Sequence, residues 1–371
     1  MEKDKKINVL LCSPYRGAVG GISRWTGHIL DYYEHNKSDN FKVVHYYESI
    51  ERGLSEYSKL KRIVIGFKNY TKIYKGILNR LKYQNFDIVH FCSSASISLL
   101  KDIILLKAVK KRGVKSVIHF HFGRIPELYQ KKNWEQKLLN RTIKLADKVV
   151  VIDQMSYTTL VNEGYKNIAL LPNPLTSKVI EIVEQNKSIK KEERKIVFAG
   201  HCIYTKGIFE LIKACKELDN IKLKMIGTVS EDTRANLIEK AGKNSDEWLE
   251  IAGEQDYSTT IKEMLSAGVF VLPTYTEGFP NVILESMACA CPIVTTKVGA
   301  IPEMLDIVNG ENYGICIEPK NVEQLKISLQ KMLDDKDYAL QCGKNAQKRV
   351  VEMYSMPIVW RKLESIWKKL K

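Results

Sequence analysis

Short runs of β-branched and aliphatic residues alternate along this chain with longer stretches whose apolar positions recur every three or four residues. Ile7 to Cys12, Asp87 to Phe91, Ser116 to His121 and Val149 to Ile152 read as buried strands in the first half, separated by helical patterns. The run Leu171-Pro172-Asn173-Pro174 and the polar stretch from Glu181 to Lys195 break the rhythm, and a linker is expected there. The pattern restarts with Lys195 to Ala199, Lys222 to Ile226, Leu249 to Ala252, Val269 to Leu272 and Ile293 to Thr296. From Val322 onward three helical patterns follow, the last with Ile358, Val359, Leu363, Ile366, Trp367 and Leu370 as its apolar positions. This βα order predicts an α/β fold with parallel sheets, divided into a domain over 1–180 and a second over 190–352. A final helix over 353–371 is expected to pack back on the N-terminal domain.

Length and composition agree with two globular domains. A chain of 371 residues is long enough for each half to bury a core, and 21 Gly and 10 Pro are too few for a fibrous or low-complexity chain. The longest apolar stretch, Ile97 to Val109, is interrupted by Lys101, Asp102 and Lys107, which excludes a membrane-spanning helix there. Met1 to Lys6 shows no signal-peptide pattern, so a cytoplasmic protein is expected. The 8 cysteines are scattered, and the close pair Cys289 and Cys291 lacks partners at metal-ligand spacing. Reduced, buried thiols are the expectation.

Charge is unevenly divided. Residues 1–180 carry 31 Lys and Arg against 15 Asp and Glu, a net of +16, while residues 181–371 carry 27 against 28, a net of −1. Between Tyr57 and Phe86 stand Lys59, Lys61, Arg62, Lys68, Lys72, Lys75, Arg80 and Lys82 without one acid. Leu60, Ile63, Val64, Phe67, Tyr74, Leu78 and Leu81 recur between them at helical spacing, which describes a basic amphipathic helix. Such a helix either packs on its own sheet with a solvated basic face or meets anionic lipid headgroups. No nucleic-acid-binding motif accompanies the charge, so nucleic acid is not an expected partner.

In open α/β sheets ligands lie beyond the carboxyl ends of the strands, which directs attention to the loops there. The strand ending near Pro273 leads through Glu277 and Gly278 to Phe279, Pro280 and Asn281, then into a helix carrying Glu285. Pro280 suits a first helical position, position 279 offers no side-chain cap, and the N–H groups of Asn281 and Val282 are free to face an anion. A carboxylate accepts hydrogen bonds at both oxygens, which fits vicinal hydroxyls on a sugar. A second loop, His201-Cys202-Ile203-Tyr204-Thr205-Lys206-Gly207, follows the strand beginning at Lys195 and brings a lysine to a helix start. In the first half, Gly17 to Gly21 forms a glycine-rich turn after the first strand, and Ser116 to Gly123 ends on His119 and His121.

These segments resemble the retaining glycosyltransferases of family 4, whose GT-B fold sets two Rossmann-like domains facing across a cleft. The similarity rests on Pro273-Thr274 to Pro280, Glu285-Ser286-Met287-Ala288 and Pro292-Ile293-Val294, with Thr274, Ser286 and Ala290 as small departures from the family pattern. The resemblance implies that Glu277 contacts donor-sugar hydroxyls, that Glu285 contacts the ribose, and that the backbone of Gly278, Phe279, Pro280, Asn281 and Val282 surrounds sugar and phosphates. It implies that Lys206 carries the charge of the departing diphosphate. His201 stands where the family usually has Arg, which puts half of that clamp in question. Gly20 and Gly21 are implied on the acceptor and phosphate side, and His121, better aligned than His119, near the reacting sugar.

The implied reaction moves a hexose or aminosugar from a nucleotide diphosphate sugar to the hydroxyl of a glycan or lipid-linked acceptor, with retention and without a metal or other cofactor. His121, Lys206 and Glu277 are the catalytic candidates. An acceptor of this kind suits bacterial surface polysaccharide or lipid-linked glycan assembly, with the protein peripheral on the inner face of the cell membrane. Two other classes stay open: a hydrolysing UDP-sugar epimerase, and a nucleotide-sugar-binding subunit that has lost catalysis.

Overall fold

The computed structural model describes residues 6–14, 20–48, 58–307 and 313–371. Gly17, Ala18 and Val19 of the glycine turn, Tyr57, and the side chains of Lys59, Leu60, Arg62, Ile63, Val64 and Phe67 lie outside the described residues. Two units are formed, one from Met1–Pro172 with Val359–Lys371 and the other from Asn173–Ile358.

In the first unit, strands β1 (Ile7–Ser13), β2 (Phe41–Tyr47), β3 (Ile88–Ser93), β4 (Lys115–Phe120), β5 (Lys148–Val151) and β6 (Ile168–Leu170) form a parallel sheet in the order β2-β1-β3-β4-β5-β6. Helices α1 (Gly21–His35), α2 (Lys59–Tyr83), α3 (Ser98–Lys110), α4 (Ile125–Lys131), α5 (Trp134–Leu145) and α6 (Gln154–Asn162) connect them. Alternate residues of the central strands face opposite ways. Leu10, Phe91, Ile118, Phe120 and Val149 join a buried cluster with Ile73 and Ile77 of α2, Leu99 and Leu106 of α3, and Leu139 and Ile143 of α5. The other face carries His90, Cys92 and His119, under Trp25 of α1 and Trp367 near the C-terminus.

The C-terminal segment of this unit is held by specific contacts. Trp367 is fully buried and donates its indole N–H to His90 Nδ1 at 3.0 Å. Ser38 Oγ donates to Glu364 Oε1 at 2.5 Å, and the Trp360 ring meets those of Tyr32 and Tyr33 at 5.7 and 5.9 Å. A buried tryptophan of this kind contributes about 3 to 5 kcal/mol relative to alanine.

The second unit repeats the architecture. Strands β7 (Glu192–Ala199), β8 (Lys222–Ile226), β9 (Leu249–Gly253), β10 (Ala267–Leu272), β11 (Ile293–Thr296) and β12 (Ile315–Ile317) pair in parallel in the order β12-β11-β10-β7-β8-β9. Around them lie α7 (Ser177–Gln185), α8 (Ile208–Cys215), α9 (Glu231–Ala241), α10 (Ser245–Trp248), α11 (Tyr257–Ser266), α12 (Asn281–Ala288), α13 (Ile301–Met304), α14 (Val322–Asp334) and α15 (Lys336–Tyr354). The last helix, α16 (Met356–Lys368), begins here and ends in the first unit. The polar stretch after residue 181, expected as a linker, contains much of α7 instead. Val179 and Ile182 of α7 are buried, and the helix packs against α11, while the boundary between the units lies at Pro172–Asn173, within the run Leu171-Pro172-Asn173-Pro174.

Each sheet has a point at which the strand order turns back. In the second it lies between β7 and β10, the two strands paired at its centre. Loops leaving neighbouring strands in opposite directions open a crevice at such a point, which is where the loops beginning at Gly200 and Pro273 stand.

Candidate functional site

Three loops of the second unit are stitched together at the carboxyl ends of β7, β10 and β11. Tyr275 N–H donates to Thr205 O at 2.8 Å and Thr274 Oγ1 to the same oxygen at 3.2 Å, joining the loop after β10 to the loop after β7. Ala300 N–H donates to Gly278 O at 2.9 Å, joining it to the loop after β11. Two glycines make these approaches possible. Gly207 has φ +68°, and a Cβ there would stand 2.0 Å from the Pro273 carbonyl oxygen. At Gly299, φ +55°, a Cβ would stand 2.3 Å from Glu277 O. Any larger residue at either position forces the loops apart and adds backbone strain.

This stitching brings Lys206 to Glu277. Lys206 Nζ donates to Glu277 Oε1, and the two side chains are 21% and 13% exposed, so the pair is largely shielded from solvent. Next to Glu277 the chain enters α12. Pro280 is the N-cap and Asn281 the first helical residue, one position later than expected, and no side chain caps the helix. By contrast α5, α9, α11, α14 and α15 carry Asn, Ser or Asp caps that accept from first-turn amides. The half-exposed positions of the first turns of α12 are Asn281, Val282 and Glu285, spaced to share one face. An uncapped helix start beside a cation and a carboxylate, with Glu285 one turn further along the helix, suits a ligand with an anionic group and several hydroxyls.

Phe279 and Pro280 contribute differently from Glu277. Both side chains are buried, and the Phe279 ring packs against Tyr354 at 5.6 Å. Asn173 Nδ2 donates to Phe279 O at 3.1 Å and to Asn281 Oδ1 at 3.2 Å, fixing the loop to the start of α12. These residues shape the loop, and any role toward a ligand falls to the backbone. His201 is exposed at the start of its loop. Tyr257 is a partner that the sequence gave no reason to single out: its hydroxyl donates to Glu285 Oε1 at 3.0 Å. It opens α11, a helix distant in sequence from Glu285, and no local pattern marks the contact.

Gly20, Gly21 and His121 belong to the first unit. Gly20, φ +141°, precedes α1 without a side-chain cap, and open space surrounds it and Gly21. Four residues into α1, Trp25 meets the rings of His119 and His121 at 4.9 and 5.0 Å, and those two imidazoles lie 3.9 Å apart. His121, just beyond β4, is pushed down to about 3, by burial first and then by His90; burial also lowers His90 to about 3. All of these rings are therefore neutral near pH 7.

Ligating atoms of His90, Cys92 and His119 fall within 4.8 Å of one another, a spacing that raises the question of an ion. The Trp367 hydrogen bond answers it. An indole only donates, so His90 Nδ1 is the acceptor and Nε2 of the neutral ring bears the proton, leaving no lone pair for a metal.

Comparison with known proteins decides the family. Glycosyltransferase Family 4 matches residues 27–177, and Glycosyl transferases group 1 matches residues 179–349. The chain belongs to the family 4 glycosyltransferases. The chain is 30% identical to the capsular polysaccharide biosynthesis glycosyltransferase CapM of Staphylococcus aureus, over 50% of this chain and 49% of that one, so the match spans about half of that relative. Among solved structures, sucrose-phosphate synthase from Thermosynechococcus elongatus matches with TM-score 0.74 at 17% identity, over 98% of this chain and 99% of that one. Anabaena Alr3699/HepE, solved in complex with UDP, matches with TM-score 0.69 at 14% identity, over 98% of this chain and 100% of that one. The fold of this member of family 4 is of the GT-B type, with two Rossmann-like units.

Proposed function

We propose that this protein transfers a hexose or aminosugar from a nucleotide diphosphate sugar to an acceptor hydroxyl, with retention at the anomeric carbon, in the assembly of a polysaccharide or lipid-linked glycan. The observation that carries this reading is the meeting of Lys206 and Glu277 beside the uncapped start of α12. In the proposed reaction the bond from the anomeric carbon to the diphosphate oxygen breaks, and the electron pair leaves with the diphosphate. Lys206 and the amides of Asn281 and Val282 offset that charge, a stabilisation that grows as the bond breaks. The acceptor oxygen bonds to the same face of the sugar, and its proton passes to the departing phosphate. Glu277 holds sugar hydroxyls, and Glu285, positioned by Tyr257, holds the ribose. His121 supplies a neutral hydrogen-bonding group toward the sugar, and Gly20 and Gly21 leave room for close backbone approach. This chemistry asks for no metal ion.

The relative from Staphylococcus aureus is named for capsular polysaccharide, which supports an acceptor of that class, and the UDP held by the Anabaena protein makes UDP-sugars the first donors to try. The acceptor we propose is carried on lipid at the cytoplasmic membrane surface. Among the described residues no helix is long and apolar enough to cross a membrane, and Lys68, Lys72 and Lys75 of α2 are exposed on a segment without acids. Binding at the surface through basic residues fits both facts.

The test is a thermal-shift panel of UDP-, GDP- and ADP-sugars, followed by incubation of the stabilising donor with extracted lipid acceptors and NMR assignment of the new glycosidic bond. Transfer with the donor's anomeric configuration kept is the expected result. Isomerisation of the donor without acceptor makes the protein an epimerase, and donor binding without transfer to any acceptor makes it a binding subunit.

A further inference from the structure

Helix α3 buries two charged residues among its core side chains and leaves aliphatic ones outside. Lys101 and Asp102 point inward and are buried, Lys101 Nζ lying 2.7 Å from Glu48 Oε2 and Asp102 Oδ2 accepting from Ser93 Oγ at 2.5 Å. Ile97, at its N-cap, and Leu100 and Ile104 point outward and are 61%, 48% and 55% exposed. Their spacing puts them on one face, and the same face continues through exposed Lys107 and Lys111. Isolated exposed aliphatic residues are ordinary on a protein surface, but three in register along one helix are a patch. The two residues before Ile97, Ala95 and Ser96, both hold left-handed backbone, φ +70° and +61°, a conformation that costs about 1 kcal/mol or more for each non-glycine residue. The chain thus accepts strain where it presents this face.

We propose that Ile97, Leu100 and Ile104 form a wedge that enters the interfacial layer of an anionic membrane while Lys107 and Lys111, further along the same face, rest on the headgroups. The proposal builds on the membrane-surface reading given above and names the element that inserts. Charge argues for a bilayer: α2, which packs beside α3, carries exposed Lys68, Lys72 and Lys75, and none of them forms an ion pair among the described residues. The composition of the face argues against a protein partner. Stable protein interfaces concentrate aromatic residues and Arg and exclude Lys, whereas this face runs from three aliphatic residues into Lys107 and Lys111. Long lysine stems keep their charges at the headgroups as aliphatic side chains sink beneath them. Lysine attraction alone is screened by salt, and insertion is not, so the wedge converts a salt-sensitive contact into one that persists.

The experiment is flotation of the full chain with phosphatidylglycerol–phosphatidylcholine vesicles at low salt and at about 1 M salt, where screening reaches only ~3 Å. Wild type is expected to float at low salt and to keep part of that binding at high salt. The triple variant Ile97→Ser, Leu100→Ser, Ile104→Ser is expected to lose the salt-resistant part, with partitioning reduced about tenfold or more. Its melting temperature and UDP-induced thermal shift report that the fold is intact. Ile104→Trp, which keeps the face apolar, is expected to show a blue shift of emission when vesicles are added. Unchanged flotation of the triple variant, or no blue shift while Ile104→Trp is vesicle-bound, overturns the wedge while leaving the charge-based reading in place. Absence of wild-type flotation at low salt removes the membrane reading itself. A dimeric wild type that the triple variant turns into a monomer, with vesicle binding unchanged, assigns the face to a second copy of this chain and also overturns the wedge.

Discussion

Lys206 donates to Glu277 across the loops that leave β7 and β10, so the cation assigned to the diphosphate and the carboxylate assigned to the sugar are partners of each other. Each therefore sets how available the other is to a donor. Removing one changes binding and turnover in different proportions, which separates their roles.

Glu277→Ala leaves Lys206 without its counter-charge. Affinity for bare UDP is expected to hold or to rise by up to about tenfold, while transfer falls on the order of 100-fold because the sugar loses its acceptor group. Lys206→Ala is expected to weaken UDP itself by about 10- to 100-fold, the value of a charged hydrogen bond. Calorimetry with UDP beside initial-rate measurements distinguishes them. Equal losses for nucleotide and nucleotide sugar in Glu277→Ala contradict the division of labour.

Glu285 and Tyr257 form the second pair, joined at 3.0 Å. Glu285→Ala leaves ribose hydroxyls unpaired and is expected to weaken UDP by about 1 to 3 kcal/mol. Tyr257→Phe only releases the carboxylate from one orienting bond and is expected to weaken UDP by about 0.5 to 1.5 kcal/mol. In the double variant the Tyr257 effect should vanish, since it acts through Glu285. Additive losses measured by titration calorimetry would show that Tyr257 touches the ligand independently.

The imidazoles of the first unit make its stability depend on pH. Burial lowers His90 and His121 to about 3, holds His119 well below 6.5, and lowers His28 to about 4 with help from Arg24. Below pH 6.5 the unfolded chain gains protons at these groups and the folded one does not, so stability present above 6.5 is lost as pH falls. Asp102 acts in the opposite sense, because burial raises it from 3.8 to about 6 and its folded form takes up a proton first. With that offset, the loss between pH 6.5 and 5.5 is expected to be about 3 kcal/mol, and His121→Gln should reduce it by about 1 kcal/mol. Urea titrations followed by tryptophan emission test this, since Trp25, Trp134, Trp360 and Trp367 all report on the first unit. Equal urea midpoints at pH 7 and 5.5 would mean that the rings are not held neutral.

The amino-acid pattern alone determined the parallel α/β class, the interior strands of both sheets, the basic helix α2, the loops that carry Lys206 and Glu277, and the helix that carries Glu285. These are legible because each depends on neighbours in sequence: an apolar run, a helical period, or a motif confined to one strand, loop and helix. Strands β2, β6 and β12 escaped the same reading. All three are sheet edges, where Phe41–Tyr47 mixes polar and apolar positions and Ile168–Leu170 and Ile315–Ile317 are too short to show a period. Only the tertiary structure decided that Lys206 pairs with Glu277, that Tyr257 reaches Glu285, that Phe279 faces the core and that α3 buries Lys101 and Asp102. Nearly every turn of α3 is apolar, so its period names no inner face. The buried partner Glu48 and the hydroxyl of Ser93 choose one, because an unpaired charge inside costs far more than an aliphatic side chain outside.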